Sequence, residues 1–192
     1  MAMHSARALA MALLALLAPP AAAAQAREPD PELRRAVEAA VEATDSFENR
    51  FDAEVWLQLM ANRLADHIPN PQRRLDFLRM VHYEATRAGL EPELVMAVID
   101  VESDFNRFAL SDAGARGYMQ IMPFWLDEIG RPDDNLFNTE TNLRMGCTIL
   151  AYYLDKEDGN LTRALARYNG SLGQTWYPDR VFSALNEHWK TD

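Results

Sequence analysis

One cysteine stands among 192 residues, so no disulfide can close within the chain. Cys147 lies in the apolar stretch Met145-Gly146-Cys147-Thr148-Ile149-Leu150 and reads as a small core residue. Basic side chains are scarce, 19 against 29 acidic ones, for a net charge of −10. Neutralising a phosphate backbone needs a basic surface, so nucleic-acid binding is excluded. His67, His82 and His188 are scattered without ligand spacing, which predicts no metal site and no cofactor. Strand signals are almost absent, and no internal repeat is visible. No apolar run is long enough to span a bilayer as a helix; Ala8 to Leu17 is short and ends at Pro19-Pro20.

That short run has another reading. Met1 to Arg7 carries His4 and Arg7 but no acid, Ala8 to Leu17 is apolar, and Ala24-Gln25-Ala26 fits a small-x-small cleavage site. Residues 1–26 are therefore expected to be a secretory signal peptide. The expected location is the periplasm, with secretion as the other possibility and no transmembrane segment in the mature form. No cysteine follows the cleavage site, so lipid anchoring is not indicated. Residues 27–192 suffice for one compact domain with its own core.

Nearly every segment reads as helix, which predicts an all-α fold or nearly so. Pro31 to Thr44 is rich in Ala and Glu, and Asp45 to Ile68 places Phe47, Phe51, Val55, Leu59 and Leu64 at near-helical spacing. Asn70-Pro71 opens a helix that runs to Gly89. Residues 106–118 read as loop, and a short helix lies between Pro123 and Gly130. Thr139 to Lys156 carries an inner stripe of Leu143, Cys147, Leu150 and Leu154. Asn160 caps a helix ending at Asn169-Gly170, and Pro178 opens a last one reaching Lys190.

The helix from Glu91 to Glu102 holds an anomaly. At roughly 100° per residue, Val95, Val98, Ile99 and Glu102 share one face, while Glu93, Asp100 and Asp104 gather opposite as a solvated stripe. Glu102 alone points with the apolar residues. A carboxyl set against apolar surface is poorly solvated when charged, so its pKa rises toward the range useful to a general acid. A buried Glu paired with an Arg fits this helix equally well.

The residues that follow favour the chemical reading. Glu102-Ser103-Asp104-Phe105-Asn106, then Ala109-Leu110-Ser111, then Gly114-Ala115-Arg116-Gly117-Tyr118-Met119-Gln120-Ile121-Met122-Pro123 resembles the signature of the soluble lytic transglycosylases. Ala164-Leu165-Ala166-Arg167-Tyr168-Asn169-Gly170 is similar to that family's closing motif. The blocks occur in the family's order from about Gly89 to Arg180. The resemblance implies a lysozyme-like fold whose helices frame a saccharide cleft. It assigns residues 86–192 to a catalytic domain and leaves 27–85 as an N-terminal helical extension, a possible docking segment for cell-envelope machinery.

Glycoside cleavage needs a proton for the leaving oxygen and a means of stabilising an oxocarbenium-like centre. The resemblance implies that Glu102 does both jobs on peptidoglycan glycan strands. It protonates the oxygen between N-acetylmuramic acid and N-acetylglucosamine. It then takes the proton of the muramoyl 6-hydroxyl as that group closes a 1,6-anhydro ring. By the same resemblance, Ser111 hydrogen-bonds substrate or acid, with a turn cap as its other reading; Gln120 contacts saccharide, with bracing of the loop as its other reading; Met122 serves packing and lines the cleft floor; and Tyr168 lies near Glu102. Trp125, Tyr152, Tyr153, Trp176 and Tyr177 are candidates to offer flat faces to sugars, with core or surface packing as the other reading of each, and Trp176-Tyr177 is the first pair to test. Two other classes remain open: a hydrolytic muramidase using Asp112 or another acid, and a non-catalytic glycan-binding scaffold. Arg107 at a usual proline, Tyr118 at a usual leucine, and Gly170-Ser171-Leu172-Gly173 depart from the family pattern without removing a chemical group.

Overall fold

The computed structural model describes residues 49–191. The expected signal peptide and the helix from Pro31 to Thr44 lie outside them. Seven α-helices follow in order: α1 Arg50–Arg63, α2 Pro71–Arg87, α3 Pro92–Ser103, α4 Trp125–Ile129, α5 Thr139–Lys156, α6 Leu161–Asn169 and α7 Trp176–Ala184. The chain continues from α7 into a π-helical turn, Leu185–Trp189. No strand forms among the described residues; Leu110 with Arg116 and Arg116 with Ile121 make isolated bridges only.

Four of these helices start in the same way. Asn49, Asn70, Asn138 and Asn160 each accept, through the side chain, a backbone N–H three residues on, satisfying a donor that the first helical turn leaves unpaired. Pro71 and Pro92 occupy the first helical position, where a missing N–H has no consequence. α7 begins at Trp176, two residues before the proline expected to open it. Pro178 is the third helical residue, still within the turn that has no intrahelical N–H partner.

α1 corrects the sequence reading twice. It ends at Arg63 rather than Ile68, because the chain turns ahead of Pro69. Its buried face is Ala53, Trp56, Leu57, Met60 and Leu64, whereas Phe51 and Val55 are 72% and 50% exposed. This face joins the same core as α2, α3, α5 and α7, so the described part of the extension packs into the domain itself.

α3 runs through the middle of that core, against α2, α7 and the π-helical turn, and residues Leu94 to Ile99 are all buried. The carboxylate stripe expected on its far side is therefore not simply solvated. Trp56 Nε1 donates to Glu93 at 2.9 Å, Trp189 Nε1 donates to Asp100 at 2.8 Å, and His67 Nδ1 lies 3.2 Å from Asp104. Flanking elements cover α3 on that side too, and their indoles find acceptors there. Cys147 is fully buried, and burial pushes its thiol well above its usual range.

Candidate active site

The end of α3 is fixed by a loop whose carbonyls are almost all occupied. Ser103 Oγ donates to Tyr118 O at 2.8 Å, tying the last turn of the helix to residues 116–121. Asn142, 1% exposed on α5, donates to Arg116 O and Leu136 O, both at 2.8 Å, and accepts from Met119 N at 2.8 Å. Gln120 Nε2 donates to Gly117 O at 3.0 Å, and the Tyr168 hydroxyl donates to Met119 O at 2.7 Å. Four successive carbonyls, 116 to 119, thus have named partners drawn from three helices and the loop itself.

Two glycines permit this seating. Gly117 has φ +76°, and a Cβ there would meet Asn142 Nδ2 at 2.4 Å and Leu136 O at 2.6 Å. On α5, one turn beyond Asn142, a Cβ on Gly146 would meet Met119 Sδ at 2.3 Å. Asn142 and Gly146 together form the seat on which the loop rests.

Glu102 lies in the last turn of α3, next to Ser103. It is half-buried, and Tyr177 donates its phenolic hydrogen to Glu102 Oε1 at 2.6 Å. Desolvation by burial raises the carboxyl from 4.5 to about 7; the Tyr177 bond and the charge of Arg180, one turn along α7, pull in the opposite direction. None of these influences is a second carboxylate. Tyr168 and Tyr177 are held far above the usual phenol range, by burial first and by the charge of Glu102 second. Both remain neutral hydrogen-bond donors.

The other candidates fall into distinct places. Tyr168 lies beside Glu102 but gives its hydrogen bond to the loop. Gln120, at φ +48°, spends its amide on Ala109 O and Gly117 O. Ser111 Oγ accepts from Ala115 N at 3.0 Å, within the tight turn that leads into the loop. Met122 is half-buried at the loop's end. Trp176 is 47% exposed, with its ring centroid 5.9 Å from that of Tyr177. Tyr177 itself is 1% exposed and offers no face to a ligand, so the platform expected of it gives way to a bond with the acid. Among the described residues no group of three His, Cys, Asp or Glu side chains is placed to hold a metal ion.

This arrangement, an acid on a buried helix braced by a Gly-Tyr-Met-Gln loop and a Tyr-Asn helix end, coincides with a known domain. The Transglycosylase SLT domain matches residues 79–186. The chain belongs to that family. Relatives include "Membrane-bound lytic murein transglycosylase C" from Actinobacillus pleuropneumoniae serotype 5b (strain L20), 33% identical over 126 residues, covering 57% of this chain and 34% of the relative. The protein of that name from Yersinia pestis (strain Pestoides F) is 29% identical over 135 residues, covering 62% and 36%. The matched part is thus about a third of these curated relatives' length. Among solved structures, an inactive mutant of lytic transglycosylase Slt from Pseudomonas aeruginosa aligns with a TM-score of 0.47 and 20% identity, over 81% of this chain and 34% of that one.

Within the SLT domain, Asn142 and Gly146 are the loop-seating residues that sequence reasoning missed. One signal was available. Asn is a poor residue for a helix interior, since its amide competes for backbone groups, and Gly is poorer still. Their one-turn spacing on an otherwise amphipathic helix marks a surface that another backbone approaches closely.

Proposed function

We propose that this SLT-family chain is a peptidoglycan lytic transglycosylase that cuts the bond between N-acetylmuramic acid and N-acetylglucosamine and leaves 1,6-anhydro ends. The observation that carries this reading is the state of Glu102: half-buried, hydrogen-bonded by Tyr177, and poised near pH 7 with no carboxylate acting on it. A carboxyl of that acidity serves equally well as donor and acceptor at neutral pH.

The chemistry then follows from a single group. Protonated Glu102 gives its proton to the glycosidic oxygen as the bond to the anomeric carbon breaks. The carboxylate left behind stabilises the cationic sugar and removes the proton of the 6-hydroxyl, whose oxygen bonds to the anomeric carbon of the same ring. The proton returns to Glu102, and no water is consumed. An intramolecular hydroxyl has an effective concentration far above that of any external nucleophile, so a bound water is not required. A hydrolytic route would enlist a second acid. Asp100 accepts from Trp189, Asp104 pairs with His67, and Asp112 is exposed in the loop, which supports the one-acid reading.

Residues 1–26 would direct the chain to the periplasm, and among the described residues no helix is long and apolar enough to cross a membrane. The extension 27–85 is the candidate docking segment for cell-envelope machinery. Its exposed Phe51 and Val55 are the residues to replace in a pull-down from envelope extract, and unchanged recovery of every partner would remove this assignment.

The enzymatic reading is tested by digesting sacculi with the wild type and with Glu102→Gln, followed by mass spectrometry of the released muropeptides. Anhydro ends from the wild type and a loss of at least about a hundredfold in the variant are expected. Equal release by both would overturn it.

A further inference from the structure

Arg107 and Tyr118, two side chains that depart from the family pattern, line one cavity. It holds about 730 Å³ between the start of α2, the segment that follows α3, and the loop at Tyr118. That is the size of a small-molecule site, roughly 300–1,000 Å³. Its apolar wall is Phe77 and Met80 of α2 together with Phe105. The Phe77 ring lies 4.7 Å from that of Tyr118 and 6.2 Å from that of Phe105. Glu102, Ser111, Gln120 and Tyr168 do not line this cavity.

The polar side of the cavity offers donors. Tyr118 is 7% exposed, yet among the described residues its hydroxyl has no hydrogen-bond partner. Burial raises its phenol above the usual range, and Arg107 and Arg73 pull the other way, so the hydroxyl keeps its proton at neutral pH. Arg107 spends Nε on Phe137 O at 2.8 Å, which leaves its two terminal nitrogens unspent. Arg73, in the first turn of α2, is exposed, and among the described residues no carboxylate pairs with it. The acids that share the lining are already engaged. Asp104 lies 3.2 Å from His67 Nδ1, while Asp76 accepts from Gln72 at 3.0 Å and lies 3.9 Å from Arg79.

A nearly buried donor with no acceptor in the protein is costly, and it calls for an acceptor from outside the chain. Two guanidinium groups and a phenolic O–H in one cavity suit a carboxylate, whose two oxygens accept from the planar Arg fork and from a hydroxyl. Asp76 and Asp104 in the same lining oppose a doubly charged group such as a phosphate monoester. Phe77, Phe105 and Met80 suit an apolar body, above all an aromatic ring.

We propose that this cavity is a binding site for a small organic carboxylate: Tyr118, Arg107 and Arg73 hold the carboxylate, and an apolar, ring-sized body lies on Phe77, Phe105 and Met80. The site is separate from the Glu102 group, and its ligand is not a glycan.

The test uses the full chain, isotope-labelled for NMR and titrated with hydrocinnamate, with hydrocinnamyl alcohol as the uncharged control. Saturable shifts of the Arg73, Phe77, Phe105, Arg107 and Tyr118 amides are expected, with the alcohol bound at least about tenfold more weakly. Tyr118→Phe keeps the ring beside Phe77 and removes only the hydroxyl, and Arg73→Gln removes an exposed charge. Each should weaken hydrocinnamate binding by about threefold to tenfold. Melting temperatures equal to that of the wild type show that the variants fold; Arg73, being exposed, keeps the test decisive even where Tyr118→Phe is less stable. Equal affinity for acid and alcohol overturns the proposal, as does unchanged affinity in the variants. Shifts confined to the surroundings of Glu102, or no saturable shift at millimolar hydrocinnamate, overturn it too.

Discussion

Tyr177 Oη and Glu102 Oε1 stand 2.6 Å apart, joining two helices across 75 residues of sequence. The phenol donates, so the bond favours the charged carboxylate and opposes the burial that raises its pKa. The acid is thereby held near neutrality instead of drifting higher, and it is also fixed in direction.

Removing only that hydroxyl tests both effects. Tyr177→Phe should move the Glu102 pKa above about 7, because a group that lowers it is lost while the burial remains. A general acid works when protonated, so the alkaline limb of the pH–rate profile should shift to higher pH. The maximal rate should fall by roughly tenfold to a hundredfold from lost orientation. Muropeptide release measured from pH 5 to 9 reads both changes.

Stability should depend on pH through the same carboxyl. The folded-state pKa, about 7, exceeds the ordinary 4.5, so between those values the native state holds a proton that the unfolded chain releases. Stability from this group is therefore fully present below pH 4.5 and is lost as pH rises to about 7. Glu102→Gln, which resembles the protonated form, should match the wild type near pH 4. At pH 8 it should be more stable by about 2–3 kcal/mol. Urea unfolding at the two pH values checks the sign.

The loop seat should be among the most sensitive places in the fold. Asn142→Leu keeps the branched outline, in a larger side chain, but strands Met119 N and Leu136 O inside the protein. The expected loss is about 3 kcal/mol, since each buried unpaired group costs roughly 1–3 kcal/mol. Denaturant melts measure it, and activity should fall with it as the loop loses its bracket.

Gly146→Ala should act at the same place by overpacking. Its new Cβ would fall on the buried Met119 side chain, at a cost of about 1–3 kcal/mol. A second replacement, Met119→Ala, should partly relieve the clash, and a double-mutant cycle on the melting data would show that coupling.

How much of this was legible in the sequence follows from the range of each signal. Helix starts are local, and Asn70, Asn160 and the prolines beside α2 and α3 could be read directly. Of the stripe Leu143, Cys147, Leu150 and Leu154, the first three are buried and Leu154 packs half-buried against the core, because amphipathic spacing reports burial on a single helix. Glu102 stood out as an acid among apolar neighbours. The partnership of Tyr177 with Glu102 is a tertiary contact, and nothing near Trp176-Tyr177 distinguishes a sugar platform from a bond to an acid. The same limit applies to α3, whose acidic side looked solvated because the indoles of Trp56 and Trp189 arrive from remote parts of the chain. On α1, periodicity alone chose Phe51 and Val55, whereas the core took Trp56, Leu57 and Met60.

The claim on which the mechanism turns is that the sugar's own hydroxyl, not water, completes the cleavage. Digestion of purified sacculi in water enriched in heavy oxygen addresses it directly, with mass spectrometry of the new muramoyl ends. Products free of the label and lighter by one water are expected, because both oxygens at the new ring closure come from the sugar. Labelled, reducing muramoyl ends would contradict the account and identify a hydrolase.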